Sequence, residues 1–305
     1  MSDETGAAVA PDSRVDRVSV VLPTFNRLPA LIRNLPSLLA LRGVDEIVVV
    51  VDGSTDGTAD WLRSLGCDRI TIIEQPQRGS PAARNRGIDE VRGGWVLMTE
   101  DDCHLPPEFA VVLLEVARER SADVVSAPWL VLTSLEQADA AMAAGRRAAI
   151  ARIGLATHPG VFPLADLETP FLNGIILARR EVFDKVRYDE RLRGNAWREE
   201  TSLFLTAVDA GFRCVLTPRT ASFQLDQWEG GQRRGRIAYE TWAIRNNWRF
   251  LWRHRRILRR LGAIRDPISA QAGFIARRTR ATVAGTLGAR LRGLGAARWD
   301  RVQRR

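Results

Sequence analysis

The chain has 305 residues, 45% of them apolar, which suffices for a large core in one or two domains and excludes a disordered tail protein. Its net charge of +9 is uneven: residues 231–305 carry 20 Arg against Glu240, Asp266 and Asp300, leaving residues 1–230 at −8, an acidic body with a basic tail. The first 17 residues lack the basic start and apolar stretch of a secretory signal and no run of 18 apolar residues occurs, so a cytoplasmic protein is expected, and Cys67, Cys103 and Cys214, widely spaced and without a CxxC, read as reduced thiols rather than disulfide or zinc ligands.

From Val18 the pattern alternates strand and helix. Residues 18–23 (VSVVLP) form a short β-branched run stopped by Pro23, as a strand buried on both faces requires. Residues 28–41 have helical spacing that Pro36 should kink or end. Residues 46–51 (EIVVVV) are a second buried strand closed by the turn DGSTDGT, and Asp56 or Thr58 can cap a helix over 59–65. A third strand over 69–73, a helix over 80–91 with Pro81 in its first turn, and a fourth strand over 95–98 follow. Residues 122–132 read as a fifth strand, 133–170 as Ala-rich and then loop-like, 173–184 as a strand entering a helix, 198–212 as a helix opened by acids and closed near Gly211, and 214–217 as a last strand. This alternation predicts an α/β protein with a mostly parallel, doubly wound, Rossmann-like sheet.

In such sheets the ligand lies beyond the carboxyl ends of the strands. Pro23, Thr24 and Asn26 follow the first strand, Asp52, Gly53 and Ser54 the second, and Glu100, Asp101 and Asp102 the fourth, so the polar clusters share one edge. Three adjacent carboxylates repel one another and ask for a cation or a proton. Such a cluster can hold a magnesium or manganese ion carrying a diphosphate, or can be a solvated turn capping the next helix. Asp52 can be an ordinary turn residue or an acceptor for a base or ribose. Arg84 and Asn85 can be surface residues, or the guanidinium can clamp a diphosphate.

The segments VSVVLPTFNR, VVVDGSTDGT, RGSPAARNRGI, GGWVLMTEDD, FLNGIILARREVF, YDERL and WREETSLFL come in the order and spacing of the family 2 glycosyltransferases. The chain resembles that family from about Val18 to about Thr217. The resemblance implies a nucleotide-diphospho-sugar transferase fold of the A type, a Mn2+- or Mg2+-dependent inverting mechanism, and transfer of one sugar from a UDP-, dTDP- or GDP-sugar to a hydroxyl acceptor. It implies that Pro23, Thr24, Asn26, Asp52, Gly53, Arg84, Asn85 and Asp101 bind the nucleotide and that Asn173 and Glu100 face the donor sugar. Asp102, with Glu100, would hold the metal. Glu200, with Glu199 beside it, would be the catalytic base. Three departures bear on this: Glu100 and Glu200 stand where the family usually has Asp, and Gln224 where many relatives carry His. A misplacement near 1 Å can cost ~100-fold in rate, but both acids keep their carboxylate, so an active enzyme is expected rather than a catalytically impaired nucleotide-binding relative.

The tail is expected to be helical from Arg236 to Arg260, with Ile237, Ile244, Trp248, Leu251 and Leu258 on one face and Arg245, Arg249, Arg253, Arg256 and Arg260 on another. Such a helix suits either an anionic membrane surface or packing on the body. Val283, Leu287, Leu291 and Leu294 repeat the pattern after Pro267. Residues 239–254 resemble the tails of bacterial family members acting on lipid-linked or cell-envelope glycan acceptors. The expected organisation is a flexible start over 1–16, a catalytic domain over 17–230 and a basic helical region over 231–305, with the linker near residues 228–236. A nucleic-acid-binding protein would use the basic tail but not the carboxylates at the strand ends, so no nucleic acid is expected.

Overall fold

The computed structural model describes residues 17–155, 159–225 and 235–280. They fall into two compact units, one of residues 17–225 and one of residues 235–280. The first is built from β1 (Val18–Thr24), α1 (Leu28–Leu39), β2 (Val44–Asp52), α2 (Thr58–Ser64), β3 (Ile70–Gln75), α3 (Ser80–Glu90), β4 (Trp95–Met98), β5 (Cys103–His104), α4 (Phe109–Glu119), β6 (Val124–Ser126), β7 (Trp129–Leu132), α5 (Ala138–Arg147), β8 (Leu167–Glu168), β9 (Ile176–Arg179), α6 (Arg180–Lys185), α7 (Glu199–Asp209), β10 (Cys214–Leu216) and β11 (Ser222–Leu225). The main sheet runs in the order β3-β2-β1-β4-β9-β6-β10-β8, and a small second sheet in the order β5-β11-β7.

The continuous apolar runs are buried as their composition demands. Val20, Val21 and Leu22 of β1 and Val48, Val49 and Val50 of β2 are all inaccessible to solvent, because helices cover both faces of this parallel part of the sheet. A Cβ on Gly87 of α3 would stand 2.5 Å from Val21 Cγ1, so the glycine is what lets α3 lie against the strands. At the start of α2 the side chain of Asp56 accepts bonds from the amide and hydroxyl of Thr58 and from the amide of Leu28, tying the first turns of α1 and α2 together. Helix α1 continues through Pro36 and ends three residues later.

Three expectations change, while the main sheet is mostly parallel as expected, apart from β8 at one edge and β9, which is inserted antiparallel between β4 and β6. Its first residue, Ile176, pairs with Met98 and with Ser126, the last residues of β4 and β6, so the residues just before β9 arrive at the carboxyl edge of the sheet. The single strand expected over 122–132 is two strands in different sheets; Pro128, which lacks an N–H for the ladder, lies at the break. The Ala-rich segment expected to lead into loop holds α5 and β8. The helix expected from Arg236 to Arg260 is two, α8 (Arg236–Arg253) and α9 (Arg255–Arg260), divided at His254, whose ring lies 5.2 Å from that of Phe250.

In the second unit residues 267–280 are also helical. Asn247 donates to Gln271 at 2.7 Å, and Arg278 forms an ion pair with Glu240, so this helix is fastened to α8 by buried and half-buried polar contacts. Among the described residues no helix is long and apolar enough to cross a membrane. The expected repeat at Val283, Leu287, Leu291 and Leu294 and most of the linker lie outside the described residues.

Candidate active site

Five carboxylates and two guanidiniums meet at the carboxyl edge of the sheet. Arg27, directly after the turn that ends β1, places Nη1 2.9 Å from Asp101 Oδ1 and Nη2 2.7 Å from Asp102 Oδ2. Thr24 donates its hydroxyl to the other oxygen of Asp101 at 2.8 Å. Arg84, on α3, is buried among the remaining acids: Nη2 lies 2.9 Å from Glu100 and 3.8 Å from Glu200, and Nε lies 3.7 Å from Glu199. Ser80, one turn earlier on α3, donates to Glu199 at 2.9 Å. The small sheet supplies a further donor. Pairing of Gln224 with Cys103 brings the Gln224 amide to Asp102 Oδ2 at 2.8 Å, which is what this residue does in place of an imidazole.

A cavity of about 220 Å³ opens on this cluster, lined among others by Pro23, Thr24, Arg27, Asp52, Arg84, Glu100, Asp101 and Glu199. Asp102 and Glu200 adjoin it through Arg27 and Arg84. Asp52 lines the cavity, but its carboxylate already accepts from Gln75 Nε2 and from the amides of Arg78 and Gly79, so it holds the loop into α3. Asn26 and Gly53 form the backing of the site. Asn26, at φ 48°, bonds with Ser54 and Thr55 across to the second turn, and a Cβ on Gly53, at φ 78°, would meet the Gln77 amide nitrogen at 2.7 Å.

Two candidates face elsewhere. Asn85 follows Arg84 on α3 and therefore points about 100° away; its amide bonds the backbone of Tyr188 in both directions and the Glu190 carboxylate. The Asn173 amide is committed to Ala127, Ser126 and Ile175, joining β6 to the start of β9.

Other residues at the site carried no separate signal in the sequence. A Cβ on Gly174 would lie 3.1 Å from Glu200 Oε1 and 3.2 Å from Glu100 Oε1, so this glycine is the gap between the two acids. Tyr188 lies under Arg84, with the guanidinium 5.4 Å from its ring centre. The loop into α7 is left-handed at Gly194, Ala196 and Arg198, two of them with a Cβ, a conformation that stores strain beside the cavity.

With more acids than bases, the cluster titrates unusually. Burial pushes Glu199 up to about 8, with Arg84 opposing and Glu200 reinforcing the shift. Desolvation pushes Glu100 up to about 7 and Asp101 up to about 6, opposed by Arg84 and Arg27 respectively. Burial alone would lower Arg84, but the surrounding acids outweigh it and hold the guanidinium above its ordinary value. Burial and the neighbouring acids raise the Cys103 thiol well above its usual range, and its soft sulfur is a poor match for a hard cation such as Mg2+.

The donor set fits a hard divalent cation. Oxygens of Glu100 and Asp102 and the sulfur of Cys103 lie within 4.8 Å of one another. Asp102 Oδ1 is buried and has no hydrogen-bond partner, although Oδ2 has two. An unmet buried carboxylate oxygen is costly, and an oxygen-seeking ion such as Mg2+ or Mn2+ would satisfy it.

Residues 19–137 match the family model described as glycosyl transferase family 2. The succinoglycan biosynthesis protein ExoO of Rhizobium meliloti is 28% identical over 212 residues, covering 67% of this chain and 59% of that protein. An undecaprenyl-phosphate 4-deoxy-4-formamido-L-arabinose transferase of Pseudomonas paraeruginosa is 34% identical over 113 residues, 34% of this chain and 33% of the relative. The chain thus spans less than two thirds of the length of either relative. Among solved structures, the Pyrobaculum calidifontis mannosyltransferase PcManGT in complex with GDP-Man and Mn2+ superposes with a TM-score of 0.55 at 19% identity, over 83% of this chain and 68% of that one. S. aureus TarS 1-349 in complex with UDP-GlcNAc gives a TM-score of 0.58 at 15% identity, over 77% of this chain and 65% of that one. At these identities the likeness shows the fold: a mixed α/β glycosyltransferase fold of the A type.

Proposed function

Because the chain carries a glycosyl transferase family 2 domain, we propose that it is a metal-dependent inverting glycosyltransferase moving one sugar from a nucleotide-diphosphate donor to a hydroxyl of a lipid-linked or cell-envelope glycan. The observation that carries the reading is the unpartnered buried Oδ1 of Asp102 beside Glu100, at the rim of a cavity beyond the carboxyl ends of β1, β2 and β4. The names of the relatives, one making succinoglycan and one acting on undecaprenyl phosphate, support the acceptor class.

Asp102 and Glu100 would hold Mg2+ or Mn2+, which when bound supplies charge to offset the departing diphosphate. Pro23, Thr24 and the loop held by Asp52 shape the nucleoside end of the cavity. Arg84 is fixed by three acids and cannot turn to follow a ligand, so its part is to keep Glu100 and Glu200 at a set separation across Gly174. Of the two adjacent glutamates, Glu199 is buried, bonded to Ser80 and pushed up to about 8, which makes it a weak proton acceptor at neutral pH. Glu200, with 26% of its side chain exposed, can meet an acceptor arriving from solvent and take its proton at the carboxylate as the hydroxyl attacks. A single displacement of this kind inverts the anomeric centre.

The test is kinetic. Glu200→Gln keeps shape and should retain Mn2+-dependent nucleotide binding while losing ~100- to 10,000-fold in transfer rate. Transfer at the wild-type rate would remove Glu200 from the role of base.

The basic unit supports peripheral contact with an anionic membrane. Trp248 and Trp252, one turn apart on α8, are exposed with their rings 5.5 Å apart, and Leu261 and Ile268 are exposed after α9. Residues 235–280 hold twelve Arg against Glu240 and Asp266. Exposed indoles amid arginines suit the headgroup layer of acidic lipid.

A further inference from the structure

We propose that Arg27 is a resident counter-cation that competes with the divalent cation for Asp102, and so sets how tightly the site holds metal. This rests on the metal-dependent reading above, but it concerns a residue outside the acidic motif that the reading does not need.

The geometry is specific. One planar guanidinium spans two neighbouring carboxylates, with Nη1 on Asp101 Oδ1 at 2.9 Å and Nη2 on Asp102 Oδ2 at 2.7 Å. Such a fork is rigid, so both bonds are made or lost together. The Arg27 side chain is only 15% exposed, which leaves the pair poorly screened by water. Gln224 adds a second donor to the same Asp102 oxygen at 2.8 Å, and Oδ1 has none. Asp102 thus presents one filled oxygen and one empty one.

Two consequences follow from charge. Without metal, Arg27 relieves the repulsion between Asp101 and Asp102, so the acids need no divalent ion to coexist. When a divalent ion approaches Oδ1, it meets the guanidinium across the width of a single carboxylate, and the two cations repel. Metal entry therefore weakens the Arg27 bond to Asp102, and a released fork has the cavity it lines in front of it. Arg27 acts through Asp102 and is a positioning residue. Its chemistry in the loosened state is that of a bidentate donor beside a phosphate-sized space.

The experiment measures Mn2+ binding to the full chain without nucleotide, by electron paramagnetic resonance of free Mn2+ and by calorimetry. Wild type, Arg27→Met and Arg27→Lys are compared, with thermal unfolding in chelator and in Mn2+. Arg27→Met should bind Mn2+ on the order of tenfold tighter than wild type, with Arg27→Lys between them. It should also unfold at lower temperature in chelator and recover more of that loss in Mn2+ than wild type gains. A residue that only braces the fold would lower the unfolding temperature equally with and without metal. That result, or unchanged or weaker Mn2+ binding by Arg27→Met, overturns the proposal. If Arg27→Met does not fold, the comparison of Arg27→Lys with wild type decides alone, tighter binding supporting the competition and equal binding refuting it. Absence of Mn2+ binding by all three proteins would refute the metal-dependent reading itself, and this proposal with it.

Discussion

Among the described residues Arg84 is the one cation that faces Glu100, Glu199 and Glu200 together, and the consequence of replacing it by Met depends on pH. Arg84 is 2% exposed and Glu199 5%, so water cannot take over the lost interaction. If the acids stayed charged, breaking a buried pair would cost about 3–5 kcal/mol. They can escape by protonation, because burial already pushes Glu199 up to about 8 and losing Arg84 pushes it higher. A carboxyl whose folded value lies above its unfolded value holds an extra proton in the native state. Its contribution is fully present below about 4.5 and is lost as pH rises through the folded value. Below about pH 7 Glu199 is mainly protonated in both proteins, and Arg84→Met should lose only hydrogen bonds and packing, about 1–3 kcal/mol. Above about 8 wild type can ionise Glu199 against Arg84, whereas the variant cannot, so the deficit should widen toward about 3–5 kcal/mol. Urea unfolding at pH 6 and pH 9 reads this directly. Placing Glu199→Gln in both backgrounds should narrow the widening to the part left by Glu100, which faces the same guanidinium and is pushed up to about 7, since glutamine has no proton to lose. A deficit constant with pH, or one that widens equally in the Gln background, would refute the assignment of Glu199 as the buried, proton-holding member of the cluster.

The remaining predictions concern the gap between the acids and the basic unit. Gly174→Ala should change stability by less than about 1 kcal/mol, because Glu100 and Glu200 are partly exposed and can move. It should lower transfer on the order of tenfold or more by pushing their carboxylates apart, and an unaffected rate would show that their separation is unimportant. Vesicles containing acidic phospholipid should sediment the full chain at low salt, while neutral vesicles should not. Replacing Trp248 and Trp252 by Ala should weaken that binding severalfold, and equal sedimentation by both kinds of vesicle would argue against an anionic surface as the partner.

The parts of the fold written in local pattern were legible before the structure. Runs such as residues 46–51 can satisfy a β-strand only where both faces are covered, and the turns after them carry the polar residues to one edge. What escaped was set at long range. Nothing local distinguishes residues 122–132 from one strand except Pro128, and residues 236–260 have helical composition throughout although the helix breaks at His254. The acids after β4 asked for a partner, and the expected one was a divalent metal ion. The sequence pattern could not say that Arg27, 75 positions away, and Arg84 would already supply part of the positive charge. Arg27 had been within the VSVVLPTFNR motif, where its place beside Asn26 at a strand end was the available signal. Asn85 and Asn173 show the complement: a motif marks a neighbourhood, and the direction of each side chain depends on helix phase and on which backbone groups need partners.

The central claim is that Asp102 and Glu100 seat a divalent cation that receives the diphosphate of a sugar donor. Its most direct test is the thermal unfolding of the wild-type chain with UDP-, dTDP- and GDP-sugars, each in Mn2+ and in chelator, with donor hydrolysis followed in parallel. The account predicts that one nucleotide family raises the unfolding temperature in Mn2+ and does little in chelator. Equal stabilisation in chelator, or none by any of these sugars with Mn2+ present, would contradict it.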